Sequence, residues 1–162
     1  MKVLIADSSP EIRQRLLTLM QEIPTAELLA PASSAQATLE SLRENDPEVL
    51  IVDARILGAR AIELLKTIRR EKPGVVLVIL SNLAFPPCRR RYEAAGADLF
   101  IDKSHEFIRL QQFVRELSRR PEVGEDVAAP DSMRKRLSFA KLSVGLDLAL
   151  FMFSAQGLFL GW

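Results

Sequence analysis

The amino-acid sequence predicts an α/β fold: a doubly wound five-stranded parallel sheet in (βα)5 order, followed by a hydrophobic, helical C-terminal tail. Three observations carry the prediction. Five short runs are almost continuously apolar, as strands covered on both faces are. Longer segments with a single apolar face separate them, so strand and helix patterns alternate along the chain. Right-handed crossovers close such an alternation most simply as helices on both faces of one sheet.

The elements follow in order. Residues 3–6 form the first apolar run. Ser9-Pro10-Glu11 then opens a helix to about Met20, with a capping hydroxyl, a proline in the first turn and an acid beside it. Ile12, Leu16, Leu17 and Met20 share its apolar face. Residues 26–30 are the second run. Ser33 or Ser34 caps the next helix, which carries Ala35, Leu39 and Leu42 and ends before Pro47. Residues 49–52 are the third run, and residues 59–71 the third helix, with Ile62, Leu65 and Ile68 inward. Residues 75–80 precede a fourth helix that Pro86-Pro87 opens and Gly96 ends. Residues 97–101 precede a fifth, which Ser104 caps and Pro121 stops, with Phe107, Leu110, Phe113, Val114 and Leu117 inward.

Composition and charge exclude several classes. The chain has 162 residues, 48% hydrophobic and 27% charged, which suits one domain plus an appendage and excludes wholesale disorder. A formal net charge of +1 gives no general case for nucleic-acid binding. One cysteine, Cys88, excludes an internal disulfide framework and a thiolate zinc cluster, and gives no redox role. One histidine, His105, argues against multi-histidine metal sites and reads as a first-turn residue of the fifth helix. The opening MKVLIADSSPE is too short and too acidic for a signal peptide, which leads us to expect a cytoplasmic chain.

Charge also divides the sequence. Residues 1–120 carry 18 basic and 16 acidic side chains. Residues 121–133 hold four acids, no base and two prolines, and read as a linker. Residues 134–162 begin with Arg134, Lys135, Arg136 and Lys141 and turn strongly apolar from Leu142. That length suits a membrane-spanning helix with a basic cytoplasmic flank, although Asp147 opposes insertion. Ser143, Asp147, Ser154, Gly157 and Gly161 fall on one helical stripe, and close helix contact uses such stripes. A membrane-associated helix, a helix packed on the domain and a homodimer helix all remain open for this segment. The tail is too short for a helix-turn-helix unit and has no base-reading pattern.

Ligands on doubly wound sheets bind at the carboxyl ends of the strands. There the sequence puts Asp7-Ser8, Asp53, Ser81-Asn82 and Phe100-Ile101-Asp102-Lys103. Two carboxylates, a hydroxyl and an ammonium on one rim form a set for hard cations and phosphate. Carboxylate oxygens hold Mg²⁺, lysine and hydroxyl bind phosphoryl oxygens, and an aspartate can become an acyl phosphate.

With these residues in place, the sequence resembles the receiver domains of two-component response regulators. The resemblance covers residues 1–120. It rests on VLIADSSPEIR, PEVLIVDARI, VLVILSN and AGADLFIDKSHEF, in that order. It implies a flavodoxin-like fold, with Asp53 accepting a phosphoryl group from a histidine kinase or phosphotransfer protein in the presence of Mg²⁺. It implies that Asp7 and Asp53 hold the metal together with the backbone carbonyl of Arg55, that Ser81 is the switch hydroxyl, and that Lys103 pairs with the phosphate. It also implies that Phe100 is the switch aromatic, where the residues alone read as core packing. The fourth helix, fifth strand and fifth helix would pass the signal to a downstream protein. Arg89, Arg90 and Arg91 read as a solvated face there, one that also docks partners in the family. Such a protein is not an enzyme beyond its own phosphorylation and dephosphorylation.

Three departures from the family pattern bear on this reading. Ser8 stands where a second acid is usual, which leaves a weaker metal ligand and slower phosphoryl transfer. Arg55 brings a free cationic side chain, available to cover a phosphoryl group or to stand in for a weakly bound metal. Ser104 replaces the proline that often follows the lysine. A receiver-like docking module that works without phosphate is therefore the alternative expectation. A metal-dependent hydrolase on the same sheet is disfavoured, because the chain is too small to carry a substrate cap.

Overall fold

The computed structural model describes residues 1–83 and 85–119, and the predicted linker and tail lie outside them. Strands β1 (Lys2–Ala6), β2 (Glu27–Leu28), β3 (Val49–Asp53), β4 (Val76–Ser81) and β5 (Leu99–Asp102) form one sheet. All pairings are parallel, in the order β2-β1-β3-β4-β5. Five longer helices follow the strands in turn: α1 (Pro10–Gln21), α2 (Ala35–Asn45), α3 (Ala61–Glu71), α4 (Pro86–Ala94) and α5 (Phe107–Ser118). The expected (βα)5 doubly wound sheet is thus the observed fold.

Alternation along the strands builds two cores. Leu4, Leu50, Val52, Leu77, Ile79 and Phe100 face one side, against Leu42, Leu65 and Ile68. Val3, Ile5, Ile51, Val78, Leu80 and Ile101 face the other, against Leu16, Met20, Leu110 and Val114. Both faces of β1, β3 and β4 are therefore apolar, which explains their unbroken hydrophobic runs. Fully burying one such side chain stabilises the fold by about 1.5–3 kcal/mol before chain entropy is counted.

Caps behave as the sequence predicts at α1 and α2 but not at α5. Ser9 Oγ accepts the Ile12 N–H at 3.3 Å, and Ser34 Oγ accepts the Ala37 N–H at 3.2 Å. Ser34, not Ser33, is the cap of α2. Ser104 does not cap α5, which starts at Phe107 with no side-chain cap. Its N–H instead donates to Asp102 Oδ1 at 2.8 Å, in a turn that consumes residues 102–106 first.

Two further boundaries differ. The second strand is only two residues long, because Pro31 cannot donate to the ladder. Pairing resumes beyond it, where Ala32 N–H donates to Ile5 O at 2.9 Å. The third helix starts at Ala61 rather than Ala59. A short helix, Ala54–Leu57, and a 3-10 turn, Gly58–Arg60, precede it. Gly58 has φ +65°, a left-handed conformation that suits glycine and separates the two helices.

Candidate functional site

Strand register alone brings the predicted residues to one rim. Ala6 pairs with Val52, so Asp7 lies level with Asp53. Asp53 pairs with Leu80, one residue before Ser81. Ser81 pairs with Asp102, one residue before Lys103. The Lys103 N–H donates to Ser81 O at 3.0 Å and continues that ladder.

The side chains of Asp7, Asp53 and Lys103 meet there in near-complete burial. Asp7 and Asp53 are fully buried and Lys103 is 5% exposed. Lys103 Nζ donates to Asp7 Oδ2 and lies 2.8 Å from Asp53 Oδ2. Charges this far from water persist only when paired and hydrogen-bonded. The other oxygens are also engaged. Asp7 Oδ1 accepts the Ser9 N–H at 2.9 Å, and Asp53 Oδ1 accepts the Arg55 N–H at 3.0 Å. Asp53 thereby caps the short helix that follows it.

Arg55 is not the free cation expected from the sequence. Its Nε donates to Asp53 Oδ2 at 3.0 Å, although its side chain is 61% exposed. Its backbone carbonyl accepts the Gly58 N–H. Ser81 Oγ is buried beside the rim and accepts the Leu83 N–H at 3.0 Å. Ser8 is exposed. Phe100 is fully buried, with its ring centroid 5.6 Å from that of Tyr92.

The donor set decides what cation could sit here. Hard cations take oxygen ligands, and Asp7, Asp53 and the second lone pair of the Arg55 carbonyl are of that kind. The residues fit Mg²⁺ in chemistry, with one acid fewer than the family pattern. Among the described residues no group of three or more His, Cys, Asp or Glu side chains gathers.

Sequence reasoning missed three contributors. Arg13, on the first turn of α1, donates to Asp7 O at 2.6 Å and fixes the strand end. Arg89 is half-buried rather than solvated, unlike exposed Arg90 and Arg91. It donates to Phe100 O at 2.8 Å and to Glu106 Oε2 at 3.0 Å, and its guanidinium lies 5.2 Å from the Phe100 ring centroid. Glu106 Oε2 also accepts the Asp102 N–H at 2.7 Å. Three adjacent arginines gave no signal for which one turns inward. That depends on where β5 lies under α4.

Titration at this edge is uneven. Burial works to raise the Glu106 carboxyl, but hydrogen bonds from the Asp102 N–H, Arg109 and Arg89 outweigh it and hold it below the ordinary 4.5. The Ser104 N–H chiefly holds the Asp102 carboxyl low. Burial pushes the Tyr92 phenol up. A depressed carboxyl adds stability that is fully present above its unfolded value and fades as pH falls through its folded one. Glu106→Gln is therefore expected to flatten the loss of stability below pH 4.5, read from denaturant midpoints across that range.

A family model described as the response regulator receiver domain matches residues 3–115. The chain belongs to this family. Response regulator GacA of Pseudomonas syringae pv. syringae is 24% identical to this receiver over 114 residues, 70% of this chain and 53% of that protein. A protein-glutamate methylesterase/protein-glutamine glutaminase of Xanthomonas campestris pv. campestris is 30% identical over 113 residues, 68% of this chain and 31% of that protein. The chain thus spans about half of the first relative and less of the second.

Solved structures share the fold of this receiver. The isolated REC domain of RcsB from Salmonella enterica serovar Typhimurium, determined with phosphomimetic BeF3−, matches with a TM-score of 0.67 at 20% identity, over 83% of this chain and 97% of that one. The signal receiver domain of a DNA-binding response regulator from Colwellia psychrerythraea matches with a TM-score of 0.68 at 17% identity, over 74% and 99%. Receiver domains of two-component systems interact with histidine kinases or phosphotransfer proteins and with downstream partners, and generally bind Mg²⁺ at the phosphorylation site. Among the described residues, no helix is long and apolar enough to cross a membrane.

Proposed function

We propose that this receiver takes a phosphoryl group on Asp53 from a histidine kinase or phosphotransfer protein and passes the change to a downstream partner. The observation that carries the reading is the buried pairing of Asp7, Lys103 and Asp53 at the strand ends. Family membership makes that chemistry the natural use of the rim. Lys103 holds the Asp53 carboxylate and is in reach of an oxygen added to it. Ser81 would give up the Leu83 N–H and turn its hydroxyl toward the phosphoryl group. Phe100 would follow, and α4, β5 and α5 would carry the signal, with Ile108 on α5 already 70% exposed. A divalent cation, when bound, neutralises phosphoryl charge; Asp7, Asp53 and the Arg55 carbonyl are the residues that would hold it. The cytoplasmic placement, and membrane association or a homodimer through residues 142–162, belong to the same proposal.

One observation favours a second reading, a docking module that never carries phosphate. Every carboxylate oxygen of Asp7 and Asp53 already accepts a hydrogen bond or ion pair from the protein. Intact mass separates the two readings. The full chain, incubated with phosphoramidate and Mg²⁺, is expected to gain one phosphoryl group, and Asp53→Ala none. An unchanged wild-type mass overturns the phosphoacceptor reading for small donors and leaves the docking module.

A further inference from the structure

Arg55 does not behave as a solvated surface arginine. Its backbone N–H holds Asp53 Oδ1 and its Nε holds Asp53 Oδ2, both at 3.0 Å. The two terminal amino groups of the guanidinium make no hydrogen bond among the described residues, and the side chain is 61% exposed. Exposed, unused donors therefore lie next to Asp53. A guanidinium is a planar fork suited to phosphoryl oxygens, and its charge survives at any working pH.

Charge at the rim points the same way. Asp7 and Asp53 bring two negative charges, Lys103 and Arg55 bring two positive ones, and Ser8 brings none. These four charges cancel before any ion arrives, and Arg13 on the Asp7 carbonyl adds a further positive one. A divalent cation gains little attraction from a rim without net negative charge. A phosphoryl group arriving on Asp53 adds negative charge beside two cations that are already in place. Preorganised positive groups of this kind stabilise the charge spread over the equatorial oxygens during transfer.

We propose that Arg55 is a phosphoryl-binding residue: its guanidinium supplies at Asp53 the charge neutralisation otherwise supplied by a divalent cation, so transfer proceeds without added metal. The inference rests on the reading of Asp53 as phosphoacceptor. In the step, an Asp53 carboxylate oxygen forms the O–P bond as the donor's N–P bond breaks. The leaving nitrogen keeps the electron pair and takes a proton from solvent. Arg55 stays on the acceptor side throughout, with Nε at the carboxylate and its terminal amino groups on the phosphoryl oxygens. Lys103 holds the opposite, buried side.

The test uses the full chain with phosphoramidate, in EDTA and in excess Mg²⁺, for wild type, Arg55→Ala and Arg55→Lys, following the rate of mass gain. Wild type is expected to be labelled in EDTA at a rate comparable to that in Mg²⁺. Arg55→Ala is expected to lose about 100-fold in EDTA, the usual effect of removing one preorganised donor, and to recover when Mg²⁺ is added. Arg55→Lys falls between them, because it keeps the charge and loses the fork. A second readout does not depend on turnover. Beryllofluoride added in EDTA is expected to give bound ¹⁹F resonances with wild type and none with Arg55→Ala. Labelling of wild type in Mg²⁺ but not in EDTA overturns the role of Arg55 and leaves Asp53 as phosphoacceptor. Equal rates for wild type and Arg55→Ala in EDTA do the same. No labelling in either condition overturns both.

Discussion

Lys103→Met is expected to cost this receiver about 3–5 kcal/mol of stability, the usual loss when one partner of a buried ion pair is removed. The reason is local. Lys103 Nζ is the shared cation between two fully buried carboxylates, and its own side chain is 3% exposed. Methionine preserves most of the volume, so packing changes little. What remains is Asp7 with a single backbone N–H and Asp53 with Arg55. Asp7 is then a buried charge without a cationic partner, beside a second carboxylate of the same sign. The melting temperature should fall by roughly 10 °C or more for a domain of this size. The same variant should lose phosphoryl labelling, because the buried cation beside Asp53 is gone. Adding Asp53→Asn to Lys103→Met is expected to restore part of the stability and none of the labelling. If denaturant midpoints of Lys103→Met match wild type, the buried pairing is not a structural interaction.

Phe100→Ala is expected to destabilise by about 3–5 kcal/mol through cavity formation. Phe100 is fully buried on β5, in the core formed with α3 and α4. Its ring meets Tyr92 at a centroid distance of 5.6 Å and a tilt of 45°, and Arg89 covers it at 5.2 Å. Removing the ring leaves both partners without a surface. Arg89 keeps its bonds to the Phe100 carbonyl and to Glu106, so the backbone of β5 stays anchored and the cavity cannot collapse fully. Phe100→Leu should cost much less, under about 1.5 kcal/mol, because most of the volume is kept. Urea melts with unchanged slope and a shifted midpoint would establish the effect. A midpoint for Phe100→Ala within error of wild type would mean that the ring is not packed as described.

The candidate site was legible to the degree that strand ends are legible. Asp7, Asp53, Ser81 and Lys103 each follow an apolar run, and parallel register brings such positions level. What the sequence could not say is how the charges pair. It offered Arg55 as a free side chain, and the fold turns its Nε onto Asp53. It offered Arg89, Arg90 and Arg91 as one solvated face, and β5 under α4 draws Arg89 alone inward. Ser104 looked like a cap because a hydroxyl precedes an apolar helix. A turn from Asp102 instead delays the helix to Phe107, beyond the reach of a cap at Ser104.

The division has a physical basis. Hydrophobic period, caps and proline positions are local, so the sequence by itself determined the five strands and the five longer helices, their order, and which residues end on the rim. Hydrogen bonds and ion pairs between side chains depend on distances set by several elements at once. The tertiary structure alone decided that Lys103 spans two buried carboxylates, that Arg55 occupies one of them, and that Phe100 lies beneath Arg89. A buried charge must find its partner among whatever the fold brings near, and residues 7, 53 and 103 become neighbours only once the sheet has formed.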